Sequence, residues 1–124
     1  MKGSKYHNKK VVIDGILFDS TREGNYYKQL KGMEDEGRIS NLRLQVPYVI
    51  ADPVWVEVEK PLKTKTKIVK YCVWKGLKYI ADFVYTDNST GEEVVVDVKG
   101  TRTNTYKHKK LLMKRIKGIE ITEV

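Results

Sequence analysis

The stretch EEVVVDVKGTRT, residues 92–103, decides how this chain is read. Its valines spell a buried β-strand, yet Asp97 and Lys99 lie two residues apart on one side of it. Side chains alternate across a strand, so Val94, Val96 and Val98 face one way and Val95, Asp97 and Lys99 the other. A charge among buried neighbours is expensive unless it is paired, solvated or bound to a metal. The strand before it, LKYIADFVYT (77–86), carries Asp82 on the face of Ile80 and Val84. A hairpin centred between Ser89 and Thr90 pairs Thr86 with Glu93, Val84 with Val95, and Asp82 with Asp97. Two carboxylates then stand opposite each other, which destabilises a sheet unless a cation lies between them.

A third acid comes from the helix upstream. In STREGNYYKQLKGMEDEGRI, Ser20 is a good N-cap and Glu23, three residues on, completes a capping-box pattern. Tyr26, Tyr27, Leu30 and Met33 recur at helical spacing, and Gly37 suits the C-terminal stop. Glu23 lies three, four and seven positions before Tyr26, Tyr27 and Leu30, on the side that packs against the sheet. It either serves the cap alone or reaches the same cation as Asp82 and Asp97.

The rest of the chain frames these elements. VVIDGILF (11–18) reads as a hairpin turning at Asp14-Gly15. NLRLQVPYVI (41–50) alternates, with Leu42, Leu44, Val46, Tyr48 and Ile50 on one face, and Pro47 marks an edge or a bulge. VWVEVEK and KIVKYCVW read as two strands around a lysine-rich connection, with Cys72 as a small buried residue. YKHKKLLMKRIK reads as a helix stopped by Gly118, with Leu111, Leu112 and Ile116 as its apolar side, and IEITEV as a short closing strand. The order hairpin, α, several β, α, β gives an α+β (mixed α/β) class. Residues 1–10 are expected to be a flexible basic arm, and 11–124 a single domain.

Composition narrows the function classes. The 124 residues carry 24 Lys plus Arg against 16 Asp plus Glu, a net charge of +8 that points to a polyanion, nucleic acid first. The single cysteine excludes an intramolecular disulfide and a multi-cysteine zinc site, and suggests a reducing cytoplasm. His7 and His108 have no partner spacing for a metal. No apolar run approaches a membrane span, and MKGSKYHNKK lacks the apolar segment of a signal peptide. Lys63, Lys65 and Lys67 are expected on one strand face, as a ribbon following a DNA backbone or as an edge guarded against aggregation. Lys107, Lys110, Lys114 and Lys117 form a helical stripe, read as phosphate contacts or as a solvated face. Arg102, Thr103 and Tyr106 are near enough in sequence to the acids to touch a substrate.

Glu23, the ADF of Asp82 and the DVK of Asp97 and Lys99 together resemble the PD-(D/E)XK nuclease superfamily. Ala81 stands where that pattern usually has proline. IDGILFDSTREGNYYKQL, YIADFVY and VVVDVKGTRT further resemble small phage and prophage proteins placed in that superfamily, a likeness running from about Val11 to Lys117. The resemblance implies a restriction-endonuclease-like αβββαβ core and DNA cleavage dependent on Mg2+ or Mn2+. It implies Asp82 and Asp97 as metal ligands, the Val98 carbonyl as an extra ligand, and Glu23 completing the shell directly or through water. Lys99 would orient or deprotonate the attacking water and offset charge on the phosphate. Cleavage would leave a 5′-phosphate and a 3′-hydroxyl. Small phage members include Holliday-junction resolvases and other structure-selective endonucleases, commonly homodimers, which would act in the bacterial host cytoplasm. The alternatives are a non-catalytic DNA-binding module and a nuclease subunit that needs a partner.

Overall fold

The computed structural model describes residues 9–98 and 102–124. In chain order the elements are β1 (Val11–Ile13), β2 (Ile16–Phe18), α1 (Thr21–Asp35), β3 (Ile39–Ala51), β4 (Val54–Pro61), β5 (Thr66–Trp74), β6 (Leu77–Asp87), β7 (Glu93–Asp97), α2 (Asn104–Leu112) and β8 (Ile121–Glu123). A π-helical turn, Met113–Lys117, extends α2. The class is α+β, with a mixed four-stranded sheet ordered β3-β6-β7-β8. β6 and β7 are antiparallel, β7 and β8 parallel. With the β4–β5 hairpin set aside, the order from α1 onward is αβββαβ. Among the described residues no helix is long and apolar enough to cross a membrane.

The chain groups into two compact units. The first comprises residues 9–46, 81–98 and 121–124. Its core is Phe18, Tyr27, Leu30, Ile39, Phe83 and Val96, so alternate residues of β6 and β7 meet one face of α1. Asp14 and Gly15 both have positive φ, 53° and 76°, as a two-residue hairpin turn requires. The Tyr27 hydroxyl donates to Asp14 Oδ2 at 3.0 Å, tying the hairpin to α1. Gly24 is a close approach: a Cβ there would sit 2.7 Å from Val11 Cγ2 and 2.9 Å from Ile13 Cδ1. Helix α1 ends as expected, with Gly37 N bonded to Glu34 O and Arg38 N to Met33 O, a Schellman closure.

The second unit comprises Pro47–Ile80 and Arg102–Glu120. Here β4 and β5 form a separate two-stranded ribbon, paired from Val54↔Trp74 to Pro61↔Thr66. Almost every ribbon residue is exposed, Cys72 included, so the expectation of a buried cysteine fails. An apolar strand is buried only when a second layer covers it, and two strands alone do not supply one. The apolar side of α2 also differs from expectation. Tyr106 and Met113, seven apart and so two turns apart, are buried, whereas Leu111 and Ile116 are exposed.

Candidate active site

The β6–β7 register runs Phe83↔Val96, Val84↔Val95, Tyr85↔Val94 and Thr86↔Glu93. Val84↔Val95 and Thr86↔Glu93 are the pairs that a hairpin centred between Ser89 and Thr90 requires. Its next step sets Asp82 against Asp97, where the ladder opens and the Val98 N–H donates to Asp82 Oδ2 at 2.8 Å instead. Asp97 is only 1% exposed. β7 holds it between two neighbours: β8 pairs Asp97 with Glu123, and Val124 N donates to the Asp97 carbonyl at 3.1 Å.

Asp82 carries the electrostatic record of the site. Its carboxyl is pushed up to about 7, first by burial, and further by the charges of Asp97 and Glu23, with the Val98 N–H pulling the other way. Glu23 is itself buried. Its backbone N–H donates to the Ser20 hydroxyl at 3.1 Å, the helix-capping half of the pattern. Its carboxylate meets the side chain of Gln45, whose Nε2 lies 3.4 Å from Glu23 Oε1 and 3.5 Å from Asp82 Oδ1. The Ser20 half of the capping box is thus made through the Glu23 backbone, while the Glu23 carboxylate lies beside Gln45.

The donors are hard carboxylate oxygens, suited to Mg2+ or Mn2+ rather than to zinc. Among the described residues no three Asp, Glu, His or Cys side chains form a ready-made metal cage. Asp97 and Glu23 both act electrostatically on Asp82. Two apposed aspartates fit an ion that takes one or two carboxylates and keeps its waters.

The chain belongs to the DUF1064 family. The family's model, described as "Protein of unknown function (DUF1064)", matches residues 3–124. Comparisons with curated proteins and with solved structures give no match.

The remaining expected residues of this DUF1064 chain fall in several places. Lys99 lies outside the described residues. Lys63 and Lys65 are in the ribbon turn, closed by Leu62 N donating to Lys65 O at 2.8 Å, and only Lys67 is on a strand, opposite Lys60. The expected single strand face is therefore a basic turn, because β5 starts only at Thr66. Thr103 is the N-cap of α2, its hydroxyl accepting from Tyr106 N at 3.1 Å. Tyr106 is 6% exposed with its ring 6.5 Å from that of Tyr79, so it serves as core rather than as a substrate contact. Arg102, Lys107 and Lys114 are exposed and Lys110 is half-buried.

Two residues were missed. Gln45 lies on the strand face opposite Leu44 and Val46, and its left-handed backbone, φ 51°, gave no trace in the residue types. Arg22, next to Glu23, lines a groove of about 420 Å³ with Asn25, Tyr26, Gln29, Val98 and Val124. Its place at the start of a helix whose next residue is a site acid was the available sign.

Proposed function

We propose that this chain is a divalent-metal-dependent DNA endonuclease of the PD-(D/E)XK type. The observation that carries the reading is the β6–β7 register, which sets Asp82 against Asp97, with the Asp82 carboxyl pushed up to about 7 first by burial and then by the charges of Asp97 and Glu23. Two like charges kept half out of water are a standing cost in a sheet. They are useful when a cation is shared between them. The αβββαβ order and the +8 charge favour the same reading.

Asp82 and Asp97 would hold Mg2+ or Mn2+, with Glu23 completing the shell directly or through water. Bound there, the ion supplies Lewis-acid polarisation of a phosphate oxygen and a water of lowered pKa. Lys99 would keep a positive charge beside the scissile phosphate and help to orient the attacking water. Arg22 gives the groove beside Val98 a cation for a neighbouring phosphate. Lys63, Lys65 and Lys67, joined by Lys60, would grip the DNA backbone without reading sequence, as would Arg102, Lys107, Lys110 and Lys114. Branched DNA is the favoured substrate class and a homodimer the form suited to symmetric cutting. A phage enzyme of this kind would act in the host cytoplasm.

The test is cleavage of linear, single-stranded, flapped and four-way DNA with Mg2+ or Mn2+, by the wild type and by Asp97→Ala. Metal-dependent cutting of any of these by the wild type alone supports the proposal. No cutting by the wild type with either ion, or equal cutting by both proteins, overturns it.

A further inference from the structure

Gln45 is out of place for its backbone. A left-handed φ of 51° in a strand is uncommon for a residue that is not glycine, asparagine or aspartate. Asn41, four residues earlier at φ 55°, is one of the tolerant types; glutamine is not. Such a conformation is strained and persists where the surroundings require it. The Gln45 side chain itself takes no part in the core: it is exposed and stands outside the hydrophobic cluster that its neighbour Leu44 joins.

What Gln45 does reach is the two acids. Its side-chain nitrogen stands between Glu23 Oε1 at 3.4 Å and Asp82 Oδ1 at 3.5 Å, carboxylates that come from different elements, α1 and β6. An amide NH2 carries two hydrogens, one for each acid, and two carboxylate acceptors identify the near end as the nitrogen. A neutral donor shared by two like charges lowers their repulsion without adding a charge that would exclude a cation.

We propose that Gln45 is a positioning residue of the metal site: its amide holds the Glu23 and Asp82 carboxylates at one spacing, so that they are assembled before the ion arrives. This rests on the metal-site reading above. The strained backbone of β3 is what aims the amide, in the way that strand irregularities redirect a side chain.

Calorimetric titration of Mn2+ into the full chain tests it, with thermal melts in EDTA alongside. The variants are Gln45→Gly, Gln45→Glu and Asp97→Ala. Glycine suits the left-handed backbone, so Gln45→Gly should melt no lower than the wild type while binding Mn2+ about tenfold more weakly, the usual scale for losing a group that orients a ligand. Gln45→Glu keeps the reach but adds an acid. It should bind Mn2+ at least as tightly as the wild type and melt lower in EDTA. Binding by Gln45→Gly within twofold of the wild type, or equal weakening by both substitutions, overturns the proposal and leaves the metal site standing. A wild type that binds no Mn2+, or an Asp97→Ala that binds as well as the wild type, removes the metal site and the role of Gln45 with it.

Discussion

Two hairpins of this chain carry the same local lettering and opposite meanings. β4–β5 reads VWVEVEK against KIVKYCVW, and β6–β7 reads YIADFVY against VVVDV. Both are antiparallel, and both mix valines with acids. In the ribbon, Glu57 stands opposite Lys70 and both are exposed, which is the ordinary cross-strand pairing of opposite charges. In the sheet, Asp97 is buried on the face of Asp82, a like charge. The first arrangement explains itself by sheet stability. The second does not, and an acid pair that stability disfavours is where a bound cation is to be sought.

The widest separation between the two hairpins should appear in catalysis. Asp97→Ala should lower metal-dependent cleavage by about a hundredfold or more, because it would remove a proposed metal ligand, whereas Glu57→Ala should leave it within about twofold. Lys99→Ala should slow cleavage far more than it weakens DNA binding. Matching losses for Asp97→Ala and Glu57→Ala in a nicking assay would erase the distinction.

Core packing comes next. Phe83 is fully buried, and Phe83→Ala should destabilise the chain by about 3–5 kcal/mol in urea unfolding. Ile68 on the ribbon is 62% exposed, and Ile68→Ala should change stability by less than about 0.5 kcal/mol. A large effect at Ile68 would mean that the ribbon is covered in solution.

The acids then act against stability. Asp82 has a folded-state pKa of about 7 against 3.8 for the ordinary carboxyl, so between those values the folded chain holds a proton that the unfolded chain releases. This group's contribution to stability therefore falls as pH rises from about 4 to about 7. Asp82→Asn should raise metal-free stability at pH 8 by about 1–2 kcal/mol, less than the whole shift implies because the carboxyl is only partly buried. It should also flatten the decline between pH 4 and pH 8. Melts in EDTA at several pH values check both, and Glu57→Gln should show neither effect. The smallest change belongs to the basic turn. Lys63→Ala or Lys65→Ala should weaken DNA binding severalfold, lower the salt slope by about one unit each, and leave the cleavage step alone.

Much of the fold was legible because its markers are local. Asp14-Gly15, Ser20 and Gly37 fix a turn, a helix start and a helix stop through backbone chemistry that needs no partner. The β6–β7 register was legible because the short DNSTG connection leaves little freedom for a shift. Burial was less legible. The ribbon's Cys72 and the helix residues Leu111 and Ile116 have core lettering, but exposure depends on what else covers them, and the π-helical turn from Met113 changes the spacing that Ile116 was judged by. In the site, Glu23, Asp82 and Asp97 were readable as acids in apolar company. Gln45 was not, because the backbone angle that aims its amide leaves no mark in the residue types.

On the proposed reading, Asp82 and Asp97 crowd each other in a half-dry site that a hard cation relieves. Carboxyl-carbon NMR titration of Asp82, with and without Mg2+, tests it most directly. The midpoint should lie near 7 in EDTA and fall by more than one unit when Mg2+ is added. An ordinary midpoint near 3.8 in EDTA, unmoved by Mg2+, would contradict it.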